Sequence, residues 1–446
     1  MKIILIALSI FFSSYLGAQN LVTNLWTNGN KRSEGHAIDG KETGKWTFWY
    51  KEGQKYSEGN YEKGIPVGEW RYWYQNGQLM SEYIENTGLF KSWHNNGTKE
   101  SEGLRENNKK TGNWTFWHPN GQIAKNAHYI NDKLNGETIE YHDNGNMAFK
   151  GSYSDDKLNS YAQWWYSNGN LEMEGKSIDD LQDSIWIYYH ENGKIASKGP
   201  FTEGQLHGNW NYYYNNGKLW RRGQYHKGAR TGIWQAFYED GKKQREGSFA
   251  NDRETGLWTQ WYPNGNIQDR GHFKSGLMDG EWTGWYFEGQ KKYHTDYLRG
   301  LKNGKHTYWY LNGRKKEEGN HKDNHKEGKW TEWSELGNKL NSGPFKNGQK
   351  HGKWVFFDKR GAKMRDQIFI EDKPNGKWTE FYPNGKKASE GTFINRVKEG
   401  IWTNWDSNGN IILQVEYRGG LKIRTIKDAA KDKKNQPKKS STTKPF

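Results

Sequence analysis

The stretch NGKWTEFYPNGKKASEG, residues 375–391, is almost a copy of TGKWTFWYKEGQKYSEG, residues 43–59. When the chain is aligned on the tryptophan of each copy, Trp46 and Trp378, the same slot recurs throughout. From Trp114 to Trp402 it recurs every 24 residues, and a half-formed first copy at Val22 brings the number of units to 17. A fixed period of this length predicts an array of stacked units rather than separate globular domains.

Each unit carries its own turn signal. A glycine stands seven places after the slot in all 17 units, usually preceded by asparagine, as in Asn76-Gly77. Asn-Gly suits the positive φ angles of a type I′ turn, which joins the strands of a two-residue β-hairpin. We therefore expect an all-β fold, an elongated solenoid or ribbon of about 17 antiparallel hairpins.

Tryptophan fills this first slot in most units. Antiparallel pairing around the turn places the slot opposite the thirteenth following residue, which is often glycine, as at Gly59 and Gly391. An indole opposite a residue without a side chain can lie across the neighbouring strand, so we predict that the ring covers this glycine. The predicted structural tryptophans are Trp46, Trp70, Trp114, Trp186, Trp210, Trp234, Trp258, Trp282, Trp330, Trp354, Trp378 and Trp402.

A second aromatic slot lies three places after the first, and alternation along a strand predicts that it faces the other side of the sheet. Its rings, with nearby threonines and basic clusters, form a candidate surface for stacking sugars or docking a protein. Purely structural packing of these rings is the competing interpretation. The candidate binding residues are Trp261, Trp285, Trp309, Trp333, Arg221, Arg222, Arg314, Lys315 and Lys316.

The two ends differ from the array. Residues 1–18, MKIILIALSIFFSSYLGA, combine one lysine with a ten-residue apolar run, which is typical of a secretory signal peptide and too short to span a bilayer. We therefore expect export to the periplasm, the outer membrane or the medium, with no transmembrane segment after signal removal. The repeat array is predicted over residues 19–421, followed by a basic, disordered tail over residues 422–446.

Charge and spacing argue for binding rather than catalysis. Residues 131–191 hold 4 Lys and Arg against 12 Asp and Glu, whereas residues 192–421 hold 39 against 26, so the two stretches could meet different partners. The chain has no cysteine and no recognisable catalytic or phosphate-binding motif. We predict no enzymatic activity, cofactor or metal, and export makes nucleic acid an unlikely partner.

Three local features have competing interpretations. His321 and His325 have a metal-like spacing, but His321 stands where other units place an aromatic residue, so packing is favoured. The pairs Asp155-Asp156 and Asp179-Asp180 fall in connections between hairpins, where calcium is the alternative to plain solvation. The slot decays near Ala162, with serine replacing glycine two places before the slot at 160 and 184, which indicates either a worn joint or a contact patch.

Units such as GKWTEFYPNGKKASEGTF resemble the bacterial variant of the MORN repeat found in the YwqK-like antitoxin family. The resemblance implies a hairpin scaffold that binds other molecules and carries no catalytic residues. Our leading hypothesis is an exported scaffold for a protein partner, with a toxin in an immunity-like role as one form of it. The alternative is a protein that binds glycan or anionic envelope polymer. The oligomeric state stays open.

Overall fold

The computed structural model of the protein describes residues 19–434. These residues form strands and tight turns almost throughout, with one short helix near the end. The predicted all-β fold of antiparallel hairpins is therefore confirmed. The described chain divides into two compact units, residues 19–217 and 218–434, which are treated separately below. The predicted signal peptide lies outside the described residues.

Residues 19–217 contain nineteen strands. They are β1 Asn20–Leu25, β2 Lys31–Ile38, β3 Lys41–Trp49, β4 Lys55–Glu62, β5 Ile65–Trp73, β6 Leu79–Ile84, β7 Thr87–Trp93, β8 Lys99–Glu106, β9 Lys109–Trp117, β10 Ile123–Ile130, β11 Lys133–Tyr141, β12 Met147–Ser154, β13 Lys157–Leu158, β14 Tyr161–Trp165, β15 Leu171–Ile178, β16 Leu181–Tyr189, β17 Ile195–Thr202, β18 Gln205–Leu206 and β19 Gly208–Tyr213.

Residues 218–434 contain nineteen more strands and the helix. They are β20 Leu219–His226, β21 Ala229–Phe237, β22 Lys243–Ala250, β23 Arg253–Trp261, β24 Ile267–Lys274, β25 Leu277–Trp285, β26 Lys291–Leu298, β27 Leu301–Trp309, β28 Lys315–Lys322, β29 His325–Trp333, β30 Lys339–Lys346, β31 Gln349–Lys350, β32 Gly352–Phe357, β33 Lys363–Ile370, β34 Lys373–Phe381, β35 Lys387–Ile394, β36 Val397–Trp405, β37 Ile411–Arg418, β38 Leu421–Asp428 and α1 Ala429–Lys434.

Within each unit the strands pair antiparallel with their neighbours in the chain. Trp46 on β3 shows the arrangement, because it lies opposite Gly59 on β4 and also opposite Gly35 on β2. The predicted pairing of the first slot with the thirteenth following place is thus confirmed. Every slot tryptophan except Trp378 has a glycine eleven places earlier, on the preceding strand.

The indole covers that preceding glycine, which corrects the prediction. A Cβ added at Gly35 would overlap the ring of Trp46, and one at Gly59 would overlap Trp70 rather than Trp46. The indole Nε1 of Trp46 also reaches back and donates to the carbonyl of His36, at 3.0 Å. Trp46 therefore joins its own hairpin to the one before it.

The Asn-Gly turns are not type I′, which is a second correction. In the turn of Asn76 and Gly77 only the glycine has a positive φ, 84°, and its N–H donates to the carbonyl of Tyr74. A three-residue loop that ends in a left-handed glycine is a type I turn with a G1 bulge. The asparagine instead supplies side-chain hydrogen bonds, since Oδ1 of Asn76 accepts from the N–H of Gln78.

Two-residue turns with both φ angles positive occur at the opposite edge, in the connections between repeats. Asn131 and Asp132, at φ 51° and 71°, form one such turn. The second residue of these turns often bonds the turn before it, and the Asp132 carboxylate accepts from the N–H of Lys110 at 2.8 Å. Asp156 and Asp180 make the same contact with Leu134 and Leu158. Their carboxylates therefore have a structural role at this edge.

The array extends one strand further than predicted. Residues 421–428 form β38, which pairs with β37 from Leu413 opposite Asp428 to Arg418 opposite Leu421, and α1 follows. The prediction of disorder is therefore wrong for residues 422–434. Ile423 alternates with polar neighbours, and this pattern suffices for one more strand of backbone hydrogen bonds. Residues 435–446 lie outside the described part of the chain.

The stretch with a decayed slot is repacked. Ala162 is fully buried against Phe149 and Leu158, and the ring of Trp164 lies 5.1 Å from that of Phe149. These side chains occupy the space that an indole fills elsewhere. The cost is local, because Thr138, which replaces the preceding slot tryptophan, buries its hydroxyl without a hydrogen-bond partner.

Candidate functional site: the charged face

The sheet has two chemically different faces. On the first, which we call the aromatic face, the slot ring of Trp46 packs against Phe48 and Tyr61 at centroid distances of 6.1 and 6.2 Å. The charged face is the opposite one. It carries the residues one place before and after the slot, the second aromatic slot, and the lysine and acid nine and twelve places after the slot. Lys45 and Glu58 are examples, with 3.3 Å between their charged atoms.

Lysine and acid side chains on the charged face pair within one strand, three residues apart. Lys243 donates to Glu246 at 2.6 Å, and Gln235 donates to the same carboxylate. These hydrogen bonds hold the pKa of the Glu246 carboxyl below its usual value. Further pairs of this kind are Lys31–Glu34, Lys55–Glu58, Lys99–Glu102, Lys315–Glu318, Lys363–Asp366 and Lys387–Glu390.

These lysines also cover the second-slot rings of the following repeat. The ammonium of Lys243 lies 5.7 Å from the ring centroid of Trp261, and that of Lys315 lies 5.8 Å from Trp333. Cation–π contacts of this kind are worth about 0.5–1 kcal/mol at exposed sites. Because the lysines and their acids lie on the charged face, the contacts place the second slot there, as alternation predicted.

The four candidate tryptophans are half-buried and are coupled to their neighbours through the backbone. The carbonyls of Trp261, Trp285, Trp309 and Trp333 accept hydrogen bonds from the hydroxyls of Tyr238, Tyr262, Tyr286 and Tyr310, at 2.7, 3.1, 2.7 and 2.9 Å. The structure therefore gives these positions a packing role while leaving part of each ring accessible.

The donor in each bond belongs to a third ring position that the sequence analysis missed, four places after the slot. It holds Trp, Tyr or His in most repeats, for instance His118, whose Nε2 lies 2.9 Å from the carbonyl of Tyr141. The sequence signal was present, because a polar-tipped ring precedes nearly every turn. Its meaning required the lateral spacing of the hairpins, since the acceptor lies 23 residues further along.

The predicted basic clusters are not brought together as clusters. Arg222 donates through Nε to the Gln235 side chain at 2.6 Å, while the guanidinium of its neighbour Arg221 stacks 4.4 Å from the ring of Trp220. Adjacent residues of a strand point to opposite faces, so a pair of this kind divides between two surfaces.

The second basic cluster divides in the same way. Arg314 donates to the carbonyl of Glu335 in the turn, and Lys315 bonds Glu318 at 2.9 Å. Lys316 lies 5.5 Å from two tyrosine rings, those of Tyr308 and Tyr310. Each cation therefore has its own partner in the protein.

His321 and His325 do not share a site. Their strands meet at a two-residue turn in which His325 lies opposite Lys322 and His321 lies opposite Lys326. Because Lys322 and His321 are adjacent, the two histidines point to opposite faces. His321 is buried, at 9 % exposure, against the ring of Trp330 at 5.0 Å, as expected of a packing residue.

Two of the grooves on the charged face differ in charge. One, of about 710 Å³, is lined by Asn113, Thr115, Asn126, His128 and Glu137 together with apolar side chains such as Trp114 and Ile139. The other, of about 270 Å³, is lined by Lys353, Asp366, Lys377, Phe381, Lys387 and Glu390. The first groove exists because asparagine replaces lysine before the slot and acid twelve places after it.

Ten stretches of the chain match the MORN repeat variant. They are residues 42–63, 66–84, 110–131, 134–155, 182–203, 206–227, 230–251, 254–275, 374–395 and 398–418. These ten repeats, which make up just under half of the chain, are similar to the MORN repeat variant. Nine matched stretches begin on the slot-bearing strand, and the stretch 206–227 begins on the short strand β18 before it. All ten run through the following turn and return strand, so the observed hairpins and the repeat coincide.

Comparison with curated proteins finds no match. Among solved structures, the MORN array is similar to "TcdB2-TccC3-Cdc42" and "TcdB2-TccC3", each at 10 % identity over 90 % of this chain, with a TM-score of 0.15. The chain spans about a quarter of the length of those chains, 24 %. A TM-score this low carries no argument about fold or function.

One place of the MORN unit is both exposed and variable, the residue before the slot, which lies on the charged face. In residues 218–434 it is apolar at Ile233, with 62 % exposure, at Leu257, with 40 %, and at Ile401, with 56 %. In other repeats it is charged, as at Glu281 and Lys305. Nothing in the hairpin requires an apolar side chain here.

Within the described residues, no helix is long and apolar enough to cross a membrane.

Proposed function

We propose that this protein is an exported, non-enzymatic MORN scaffold whose charged face binds a protein partner. The observation that carries the proposal is the pair Ile233 and Leu257, two exposed apolar residues in consecutive repeats of a face rich in charged side chains. Protein interfaces combine an apolar centre with a charged rim, whereas polysaccharides have few apolar groups that pack against exposed branched aliphatic side chains.

The spacing of this pair supports a compact contact. Ile233 on β21 and Leu257 on β23 are separated by the single strand β22, and therefore lie about 10 Å apart across the sheet. Lys243 and Glu246 on the intervening strand supply charge beside them. The excess of Lys and Arg in residues 192–421 favours an acidic partner, because complementary charge speeds encounter.

An antitoxin or immunity role, with an exported toxin as partner, is the specific form suggested by the resemblance to the YwqK-like antitoxin family. In that form the scaffold covers a surface of the toxin and needs no chemistry of its own. The export on which this form depends rests on the predicted signal peptide.

The test is affinity capture with the mature chain, residues 19–446, against envelope extract and culture medium from the producing organism. Elution is stepped in salt, and each step is assayed for protein and for sugar. We expect a stoichiometric protein partner whose retention is lost in the double variant I233S/L257S. Leu277→Ser, an exposed leucine at the inter-repeat turn edge with 49 % exposure, is the matched control and should retain the partner. Equal capture by the double variant and the wild type would refute this site.

A second candidate function, glycan binding, is favoured by the neutral groove of about 710 Å³. Asparagine, histidine and glutamate side chains can bond sugar hydroxyls in both directions, and the half-exposed rings of Trp261, Trp285, Trp309 and Trp333 offer stacking surfaces elsewhere on the same face. In this form the basic residues contribute by binding the negative charges along an anionic polymer.

The capture experiment separates the two candidates. Polymer that is released by salt without an enriched protein would support glycan or envelope-polymer binding, because screening weakens charge-driven contacts. Affinity would then grow with the number of repeats engaged. If the groove lined by Asn113 and Asn126 is the site, the variant N113A/N126A should weaken binding. If the groove lined by Lys353 and Lys377 is the site, K353A/K377A should weaken it.

A further inference from the structure

The repeat of Trp282 inverts the charge pattern of its face. In the repeats of Trp46 and Trp378 a lysine precedes the slot and an acid stands twelve places after it, as in the pair Lys377 and Glu390 at 3.3 Å. In the repeat of Trp282 an acid, Glu281, precedes the slot and a histidine, His294, stands twelve places after it. Asp296 follows two places later, on the same face.

Strand pairing brings these three side chains to one place. Glu281 on β25 lies directly opposite Asp296 on β26, and Thr283 lies directly opposite His294. Residues two apart on a strand share a face, so the four form a two-by-two block. One nitrogen or oxygen atom from each of Glu281, His294 and Asp296 lies within 4.8 Å of the other two.

Neighbouring groups orient two of these side chains. Oδ2 of Asp296 accepts a hydrogen bond from the backbone N–H of Lys305 at 2.8 Å. Gly304 makes space for the Asp296 side chain, because a Cβ there would lie 2.8 Å from that oxygen. Nδ1 of His294 faces the hydroxyl of Thr283 at 3.5 Å, which leaves Nε2 turned toward Asp296 at 3.3 Å. A partner on the second ring nitrogen is the usual support of a metal-binding histidine.

One shielded oxygen of this trio lacks a hydrogen bond. Oδ1 of Asp296 is shielded from solvent and accepts no hydrogen bond from the described residues, although His294 Nε2 is near. A shielded carboxylate oxygen without a donor is destabilising, and a bound cation removes that cost.

We propose that Glu281, His294 and Asp296 bind one divalent transition metal ion of the Zn²⁺ or Mn²⁺ class. One imidazole nitrogen and two carboxylates suit these ions, whereas Ca²⁺ prefers oxygen alone. The ion cross-links the two strands of the β25–β26 hairpin. The site is independent of the partner surface proposed above, because it uses none of the same side chains.

The experiment is titration of the full mature chain with ZnCl₂, and separately MnCl₂, in a buffer that does not chelate metals, followed by calorimetry. We expect one site per chain, with affinity at least tenfold lower in H294A and in E281Q. The matched control is H272A. His272 is an exposed histidine on the neighbouring strand β24, and its contact with Trp282 is made by its backbone carbonyl, which the substitution leaves in place. H272A should bind like the wild type.

Two results would overturn the site. The first is equal binding by the wild type and H294A, which would indicate adventitious binding to surface histidines. The second is failure of the wild type to bind either ion. Thermal unfolding supplies a second readout, since ligand binding to the folded state raises Tm. Zn²⁺ should raise Tm in the wild type and H272A but not in H294A, and tryptophan fluorescence without metal confirms that each variant is folded.

Discussion

The indole of Trp258 lies across the backbone of Gly247, on the preceding strand, so closely that a Cβ at Gly247 would overlap the ring. The same indole donates through Nε1 to the carbonyl of Ser248 at 3.2 Å. Gly271, which lies opposite Trp258 on the following strand, is covered instead by Trp282. In every repeat with a slot tryptophan except that of Trp378, a tryptophan and a glycine from different repeats therefore fasten the hairpin to the one before it.

This relationship predicts a directional coupling. Gly247→Ala should lower the free energy of unfolding by about 1–3 kcal/mol, because the added methyl overpacks against the ring. In a Trp258→Ala background the same change should cost little. Chemical denaturation of the four proteins of the cycle measures the coupling energy.

Gly271→Ala is the control for direction. Its cost should persist in the Trp258→Ala background and disappear in Trp282→Ala, because Trp282 is the ring above it. Rescue of Gly271→Ala by Trp258→Ala would show that the ring covers the following strand instead.

A second prediction concerns the one tryptophan slot without its glycine. Gln367 stands opposite Trp378, is fully buried and has an amide oxygen without a hydrogen-bond partner, and Trp378 is left half-buried. Gln367→Gly should raise the free energy of unfolding by about 1 kcal/mol, since it removes the orphaned oxygen and admits the ring. Thermal unfolding and a blue shift of tryptophan emission measure the two effects.

Gln367→Ala separates these contributions. It also removes the amide, but its Cβ still blocks the indole, so it should give no blue shift. Identical emission from the Gly and Ala variants would show that the ring does not move onto this position.

A third prediction compares two serines that replace the glycine two places before the slot. Ser184 adopts a left-handed φ of 59°, whereas Ser160 does not adopt such a φ and its hydroxyl accepts from the N–H of Ser152 at 2.8 Å. Ser184→Gly should stabilise the protein by about 1 kcal/mol by relieving backbone strain. Ser160→Gly should destabilise it by a similar amount, because the Ser152 N–H loses its acceptor. Denaturant midpoints that shift in the same direction for both variants would contradict this account.

A fourth prediction concerns pH. Burial, with smaller contributions from the nearby positive charges, lowers the pKa of His321 to about 4. Between this value and the ordinary histidine value of about 6.5, the unfolded chain binds a proton that the folded chain does not. Stability should therefore fall as the pH drops through this window, by roughly 3 kcal/mol in total.

The measurement is chemical denaturation of the wild type and His321→Phe at pH 7 and pH 4.5. Phenylalanine occupies the corresponding place in other repeats, as at Phe249, so the variant should fold and lose this part of the pH dependence. Glu317, whose pKa is lowered to about 2 chiefly by its hydrogen bond with His306, stays charged in the folded protein at both pH values, and its own contribution cancels when the wild type and the variant are compared. His325→Ala, which removes an exposed ring, should behave like the wild type; an unchanged pH dependence in His321→Phe would refute the assignment.

Several features of the fold could be predicted from the residues alone. The 24-residue period, the antiparallel pairing of Trp46 with Gly59, and the opposite faces of the two aromatic slots all follow from spacing and from the alternation of a strand. These features are local, since each is decided within one hairpin. The side-chain partners of the predicted site residues could not be predicted in this way, because those of Lys315 and Lys316 depend on which face of the sheet each residue occupies.

What only the tertiary structure decided lies between hairpins. A strand in a sheet has two neighbours, and pairing within one hairpin does not say over which of them a ring will lie. The chain does carry the answer, because a glycine stands eleven places before every slot tryptophan except Trp378, but thirteen places after only some of them. The same limit applies to the trio of Glu281, His294 and Asp296. Residues thirteen and fifteen apart in sequence become neighbours only through a cross-strand register, so their convergence is a property of the folded sheet.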